Sequence, residues 1–528
     1  MSISFFSPGE RRILRWIVFF VILSRIALAF RSEERIYARP YFEDSFYLFS
    51  CAQHFAQGEG FTCDSIHPTN GVQPLIVIFY VPLFLIAGVN KLLALKLAFI
   101  LIALFDSLSV LFIARLVRLL QKKQNNENSV WYTAPIIAAI LWAVLYPIFV
   151  HTDSGLETGL YSTMLLASLC YYVKLSRLRT EGVGVTTRQW ILCGVVLGIT
   201  VLARIDSVFL VIAIAAYELY KFRVKGFVNA TIISFFAFII SSPWWWYNYK
   251  TFGSLMPQSG MAESLGSLVS ENLTRAAIVM GDIFSVFIFL PNYAFFAWFH
   301  YAWFAGLLII IWWAIKKFAL LDHLKEKYSL MPLIPYFFFC GLIAIYYIFF
   351  FSAPYFIPRY FQPLRIGWLI VFSCASAKII DGFKIQYKYH KVIVTAFVSV
   401  FTLIAVGFSA GSYIYFFTIT HPSELYLTGK WALSHPTERI GMEQTGTAGF
   451  IAPNVVNLDG KVNYDALMAK KKGDIGSYVV SENFDYIADW REFSGQITTS
   501  AARHGMKFQE IDSIGKIIIF QRVKKSVH

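Results

Sequence analysis

The sequence predicts an α-helical polytopic membrane protein that ends in a small α/β domain. Three observations carry that reading. Hydrophobic residues make up 57% of the 528 and charged residues only 15%, against roughly 45–50% and about 25% in globular domains. Apolar runs close to the roughly 20 residues of a spanning helix recur from residue 13 to residue 416. Composition then changes: residues 421–528 carry 13 Lys+Arg and 12 Asp+Glu in a mixed-charge pattern. Such a chain is not a soluble enzyme, a disordered scaffold or a disulfide-rich secreted domain.

The apolar runs are 13–30, 73–120 (broken at Asn90-Lys91), 130–150, 158–175, 189–203, 206–220, 227–249, 283–315, 330–352, 363–380 and 392–416. They predict about 11–13 helices. Arg11, Arg12 and Arg15 precede the first, and no small-residue cleavage site follows it, so it reads as a retained helix rather than a signal peptide. Short basic loops separate several runs: Arg115/Arg118/Lys122/Lys123, Lys174/Arg177/Arg179/Arg188, Lys221/Arg223/Lys225, Lys316/Lys317/Lys325/Lys327 and Lys384/Lys388/Lys391. Cytoplasmic loops carry such an excess. The net charge of +14 therefore points to membrane topology and not to nucleic acid.

Alternation then places 31–72, about 151–157, about 204–206, 250–280, 353–362 and everything after 417 outside. Segment 73–120 is long enough to cross twice, yet its flanks require an odd number. Either one piece falls short, or 283–315 hides an extra turn. The expected division is a membrane module over 1–420, with outer loop 31–72, and a soluble outer domain over 421–528. Its strand-like runs are Val455–Leu458, Tyr478–Val480 and Ile517–Phe520, separated by turn signals such as Asp459-Gly460. Nothing in it reads as a catalytic cluster.

Of six cysteines, Cys170, Cys193, Cys340 and Cys374 lie in apolar runs and read as buried hydrophobes. Cys51 and Cys63 share the first outer loop, as a disulfide or as two thiols. No metal-ligand spacing is present.

The polar outer segments carry the candidate chemistry. Glu43-Asp44 opens a helix whose apolar face is Tyr47, Leu48, Cys51 and Phe55, stopped by Gly58 and Gly60. Such an amphipathic helix can lie along a membrane surface. Asp44 at its start is either a cap for free N–H groups or a base that takes a proton from an acceptor hydroxyl. His67-Pro-Thr-Asn70-Gly71 is a turn that binds a sugar or phosphate, or shapes the loop. His151-Thr-Asp153-Ser-Gly155-Leu-Glu157 interrupts two apolar runs, and Arg204-Ile-Asp206 interrupts another. Ionisable residues at membrane depth are costly and default to function; a structural ion pair is the alternative for Arg204 and Asp206. Arg359 is a phosphate ligand or a snorkelling anchor. Pro243-Trp-Trp-Trp246 reads as an interfacial belt.

Taken together these segments resemble the GT-C superfamily of membrane glycosyltransferases, the group that includes protein O-mannosyltransferases, the aminoarabinose transferase of lipid A and arabinofuranosyltransferases. The likeness rests on Glu43-Asp44-Ser-Phe-Tyr, Gly58-x-Gly-Phe61, Asn70-Gly-x-x-Pro-Leu75, Ser154-Gly-Leu-Glu157-Thr158, Ala203-Arg204-Ile-Asp206, Phe252-Gly-Ser-Leu-Met-Pro257 and Arg359-Tyr360-Phe-x-Pro363, in order along nearly the whole chain. Departures are His67-Pro for Asn-Pro, Ile205 for Pro and Asp206 for Glu.

The resemblance implies an inverting transfer of a hexosyl or pentosyl group from a polyprenyl-phosphate sugar to a glycan, lipid or protein hydroxyl. Asp44 would be the base, with Glu43 or Glu157 orienting the acceptor or assisting. Arg359, Arg204 and His67 would bind the donor phosphate, and Asn70, Asp206, Tyr360 and Gln258 the acceptor or sugar. No cofactor is implied, and a divalent metal is not favoured. The expected location is a bacterial inner membrane, with the site and the C-terminal domain on the periplasmic side. The alternative function is a transporter or flippase for a lipid-linked or small polar substrate; no inverted repeat supports it.

Overall fold

A computed structural model describes residues 6–122, 133–264, 269–286, 297–317, 319–386, 390–419 and 422–523. Lys123, Lys388, residues 130–132 of one predicted run and 287–296 of another lie outside the described residues.

The chain begins with α1 (Pro8–Ala27), started by a capping box in which Ser7 and Glu10 exchange side-chain and backbone bonds. The outer segment holds α2 (Glu33–Ala38) and α3 (Ser45–Ala56). Then come α4 (Pro74–Ala87) and α5 (Lys91–Leu120), divided at the predicted break, followed by α6 (Ala134–Val144) and α7 (Tyr146–Thr152). The 130–150 run is not one helix: α6 and α7 meet at 61°. Pro147 lacks an N–H, and its ring cannot follow the preceding turn, so the helix stops before it. After α8 (Thr158–Thr180) and α9 (Thr187–Ala203) comes α10 (Val208–Phe252), broken at Arg223 (φ 51°, ψ −122°). The chain reverses there so sharply that a Cβ on Gly226 would meet the Glu218 carbonyl. The two arms match the runs predicted on either side of that basic loop.

Next are α11 (Gln258–Ala262), α12 (Val269–Ser285), α13 (Ala297–Lys317), α14 (Leu320–Lys327), α15 (Ile334–Phe349), α16 (Ile357–Tyr360), α17 (Gln362–Gln386) and α18 (His390–Thr418). Within the segment 250–280, α11 and most of α12 are helical, and α12 packs on α13 and α15. Of the 283–315 run, 283–285 end α12 and 297–315 belong to α13, while 287–296 lie outside the described residues. Glu271, Arg275 and Asp282 hid α12 from an apolar count, although its buried face (Asn272, Ala276, Val279, Ile283) has helical spacing.

Among the described residues, five helices are long and apolar enough to cross a membrane, and the α6–α7 pair forms a sixth if taken as one bent span. Large apolar side chains such as Trp298, Ile309, Phe238 and Trp246 face outward, while charges are buried inside. Arg25 of α1 pairs with Asp106 of α5 at 2.9 Å and with Asp153 after α7 at 3.2 Å. This polarity is inverted from that of a soluble protein, and the chain is a multi-pass membrane protein.

The C-terminal unit contains α19 (Glu424–Leu433), β1 (Ile440–Met442), α20 (Gly446–Ile451), β2 (Val455–Asn457), α21 (Tyr464–Lys471), α22 (Ile475–Ser481), β3 (Tyr486–Trp490), α23 (Arg491–Arg503), β4 (Phe508–Ile514) and β5 (Ile517–Arg522). The sheet order is β2-β1-β3-β5-β4; β1 runs parallel to β2 and β3, and β5 antiparallel to β3 and β4. Tyr478–Val480 is helical, not a strand. The Asp474 side chain caps the Ser477 N–H and starts α22, which outweighs the β preference of Tyr-Val-Val.

The outer loop and this domain interlock. Residues 45–52 of α3 are buried between α4 and α20; the helix does not lie open on a surface, because α20 covers its second side. Tyr47 hydroxyl accepts from the Thr445 backbone N–H at 3.3 Å. Cys51 and Cys63 form no disulfide; their thiols are in hydrogen-bonding contact, with sulfurs 3.0 Å apart.

Candidate active site

A cavity of about 390 Å³ lies where the membrane helices, the outer loops and the C-terminal domain meet. Asp44, Glu157, Arg204, Asp206, Arg359 and Tyr360 all line it, drawn from four separate sequence segments. The backbone explains the convergence. Asp44 stands at the N-terminus of α3 but its side chain makes no cap bond. The carboxylate instead faces the cavity, 22% exposed. Phe42 N–H donates to the Ser154 carbonyl at 3.0 Å and ties that loop to the 154–157 turn. Gly155 (φ +76°) turns the chain where any side chain would strike the Tyr41 ring at 2.7 Å. Glu157 then enters the cavity at the head of α8, also without a cap bond.

Arg204 leaves the end of α9 in an extended conformation. It pairs with Asp206, and Tyr347 hydroxyl donates to the same carboxylate at 2.9 Å. The structural ion pair foreseen for these two residues exists, yet Arg204 Nη1 and Asp206 Oδ1 remain buried without a hydrogen-bond partner. The Arg204 guanidinium lies 4.8 Å from both the Tyr161 and Tyr360 ring centres, and Tyr347 stacks on Tyr360 at 4.0 Å. Arg359 donates to Tyr360 hydroxyl at 3.2 Å, and its Nη1 stands 3.9 Å from Asp44. Burial works against the Arg359 charge, but Tyr360, Glu157 and Asp44 more than offset it and raise its pKa.

The remaining four sequence candidates do not line the cavity. Glu43 points away and accepts from the Thr447 N–H at 2.9 Å and from its hydroxyl, fastening α20 to the outer loop. Burial raises its pKa to about 7 despite those bonds. His67 is engaged on both ring nitrogens, by Asp64 at 2.7 Å and Tyr478 hydroxyl at 3.2 Å. Asn70 accepts from the Gln258 N–H at 2.8 Å, and the Gln258 amide donates to Thr69 hydroxyl, so these two latch one loop to another. In the Trp cluster only Trp246 faces outward (66% exposed); Trp244 is buried and Trp245 lines the cavity.

Three lining residues went unread in the sequence. Tyr347 hides in an aromatic apolar run. Glu263 follows the Gly/Pro loop with no motif around it. Lys461 comes from the C-terminal domain, where it sits beside the Asp459-Gly460 turn signal. Among the described residues, no three His, Cys, Asp or Glu side chains form a metal-holding group. The cavity's carboxylates are instead interleaved with Arg204, Arg359 and Lys461.

A second hollow, of about 620 Å³, runs between α9 and the two arms of α10. Val211, Ile212, Phe238 and Trp246 line it, and it shares Val208, Trp245 and Leu255 with the first cavity. A chamber that holds the charged side chains thus adjoins an apolar groove.

No protein family model and no curated protein matches the chain. Solved structures do. ArnT from Cupriavidus metallidurans bound to undecaprenyl phosphate aligns with a TM-score of 0.55 at 11% identity, over 97% of this chain and 98% of that one. The apo form of the same protein gives 0.51 at 11%, over 96% and 97%. The likeness extends over both the helical bundle and the C-terminal domain. The chain has the GT-C fold.

Proposed function

We propose that this protein is a membrane glycosyltransferase that moves a sugar, with inversion, from a polyprenyl-phosphate carrier to an acceptor hydroxyl. The observation that carries the reading is a single carboxylate, Asp44, standing unbonded between two cations in the cavity, with Arg359 at 3.9 Å and Lys461 at 4.0 Å. Asp44 takes the proton of the acceptor hydroxyl as its oxygen attacks the anomeric carbon. The bond to phosphate breaks, and the charge that gathers on the leaving oxygen is met by Arg359 and the free Nη1 of Arg204. Asp206 and Tyr347 hold Arg204 in place, and Glu157 orients the acceptor. The apolar groove beside the cavity suits a prenyl chain. That an ArnT structure contains undecaprenyl phosphate supports a polyprenyl carrier here as well. The reading takes its positive charge from side chains and requires no metal ion. It sets the cavity and the C-terminal domain on the periplasmic face of a bacterial inner membrane, with a lipid, glycan or protein as acceptor.

The test is native mass spectrometry of the detergent-purified protein, with and without Arg359→Ala. A bound polyprenyl phosphate carrying a hexose or pentose, lost in the variant, supports the proposal and identifies the sugar. Only ordinary phospholipid, unchanged by the substitution and undisplaced by added donor, overturns it.

A further inference from the structure

We infer that Lys461 of the C-terminal domain is a ligand of the donor phosphate, so that the soluble domain completes the binding site. The inference rests on the function proposed above and adds to it a residue outside the membrane module.

The domain delivers this side chain through a built turn. Asn457 side chain accepts from the Gly460 N–H at 3.0 Å, and Asp459 accepts from the Lys461 N–H at 2.7 Å. Gly460 itself has φ +87°. The turn seats directly on the outer loop at Gly71, where a Cβ would lie 1.7 Å from the Lys461 carbonyl oxygen. No other residue at 71 lets the Lys461 backbone come so close.

From that seat the ammonium reaches into the cavity. It is 2.9 Å from Glu263, 3.7 Å from Asp459 and 4.0 Å from Asp44, with the Phe356 ring centre at 5.2 Å. Its side chain is only 16% exposed. A Lys carries three N–H donors, and among the described residues only Glu263 stands within hydrogen-bonding distance. Charge-assisted bonds between such groups close to about 2.7–2.9 Å. Arg359 and Lys461 each stop roughly an ångström short of Asp44, on its two oxygens. Two cations from different domains therefore face one point without being committed to the carboxylate between them. A phosphate beside Asp44 would be within reach of both.

The competing account is an interdomain salt bridge, Lys461–Glu263, that holds the site together and makes no contact with phosphate. The two accounts differ in what Glu263 does. If Lys461 holds phosphate, Glu263 competes for it; if the pair is only a brace, both partners matter alike.

The experiment titrates full-length protein in detergent with a sugar-free polyprenyl phosphate and follows binding by native mass spectrometry, for wild type, Lys461→Ala, Lys461→Arg, Glu263→Gln and Arg359→Ala. The expected result is a Kd raised about ten- to a hundredfold in Lys461→Ala, the range of a charged hydrogen bond. Binding should be largely kept in Lys461→Arg and be equal or tighter in Glu263→Gln. Wild-type affinity in Lys461→Ala, with binding still lost in Arg359→Ala, overturns this inference and leaves the proposed function standing. Equal weakening in Lys461→Ala and Glu263→Gln identifies a brace and also overturns it. No binding to wild type removes both readings. Should Lys461→Ala lose its thermal transition, Lys461→Arg and Glu263→Gln decide the matter, since a brace predicts weakening in Glu263→Gln and a phosphate ligand does not.

Discussion

Replacing Asp44 with Asn separates proton transfer from donor binding. The amide keeps the shape of the carboxylate and removes its charge and its basicity. A positioned general base contributes about 10²- to 10⁴-fold, so kcat should fall by that factor. Donor binding should respond in the opposite direction. Asp44 stands 3.9 Å from Arg359 and 4.0 Å from Lys461. At an effective dielectric of about 20, each attraction is about 4 kcal/mol before desolvation. For partly exposed groups the net worth falls to about 1 kcal/mol or less. Removing a carboxylate that competes with phosphate for both cations should leave the affinity for polyprenyl phosphate unchanged or about tenfold tighter. The assay pairs turnover, by sugar release from a radiolabelled donor, with the binding titration. A kcat within tenfold of wild type would refute Asp44 as the base. A parallel loss of turnover and donor affinity would make Asp44 a structural residue.

Other expectations concern the domain contact and the source of charge. Gly71→Ala drives a Cβ into the Lys461 carbonyl, so stability should drop by about 1–3 kcal/mol, as in overpacked sites. The C-terminal domain should become more open to limited proteolysis; unchanged protection and turnover would contradict the close approach. Burial lifts Glu43 from 4.5 to about 7. The stability it contributes is therefore fully present below about 4.5 and is lost as pH rises through about 7. Glu43→Gln should flatten that part of the melting-temperature profile, and an unaltered slope would assign it to other groups. Turnover should survive a chelator such as EDTA; loss of activity that Mg²⁺ or Mn²⁺ restores would show that a metal shares the work given to Arg359, Arg204 and Lys461.

Hydropathy and its polar interruptions made the class of the protein legible, together with several residues of the candidate site. An apolar run of about 20 residues has few alternatives to a helix in lipid, so the membrane bundle was legible from hydropathy. The break at Asn90-Lys91 and the reversal at Arg223 were marked by polar residues. Charges inside apolar stretches were marked in the same way, and Asp44, Glu157, Arg204, Asp206 and Arg359 do meet at one cavity. Asp106 bears that mark too, and it pairs with Arg25 inside the bundle. Local patterning failed where burial depends on remote partners. The mixed-charge helix α12 is hidden by packing that its own composition does not announce. Tyr478–Val480 follows a helix cap in place of its β propensity.

Tertiary structure alone decided which polar groups face the cavity. Glu43 and Asp44 are neighbours in sequence, yet one fastens α20 and the other, at the head of α3, faces the candidate substrate space. His67 has the chemistry of a ligand but is engaged on both ring nitrogens. Asn70 Oδ1 and the Gln258 amide N–H are taken up by loop-to-loop bonds, which leaves Asn70 Nδ2 and Gln258 Oε1 buried without a partner, away from the cavity. Lys461 is the converse case. It is an ordinary surface-type residue in its own segment, about 400 positions from Asp44. It reaches the cavity only because Gly71 lets the outer domain dock against the backbone there. Side-chain chemistry is local to the sequence, whereas its availability to a ligand depends on what the rest of the fold brings against it.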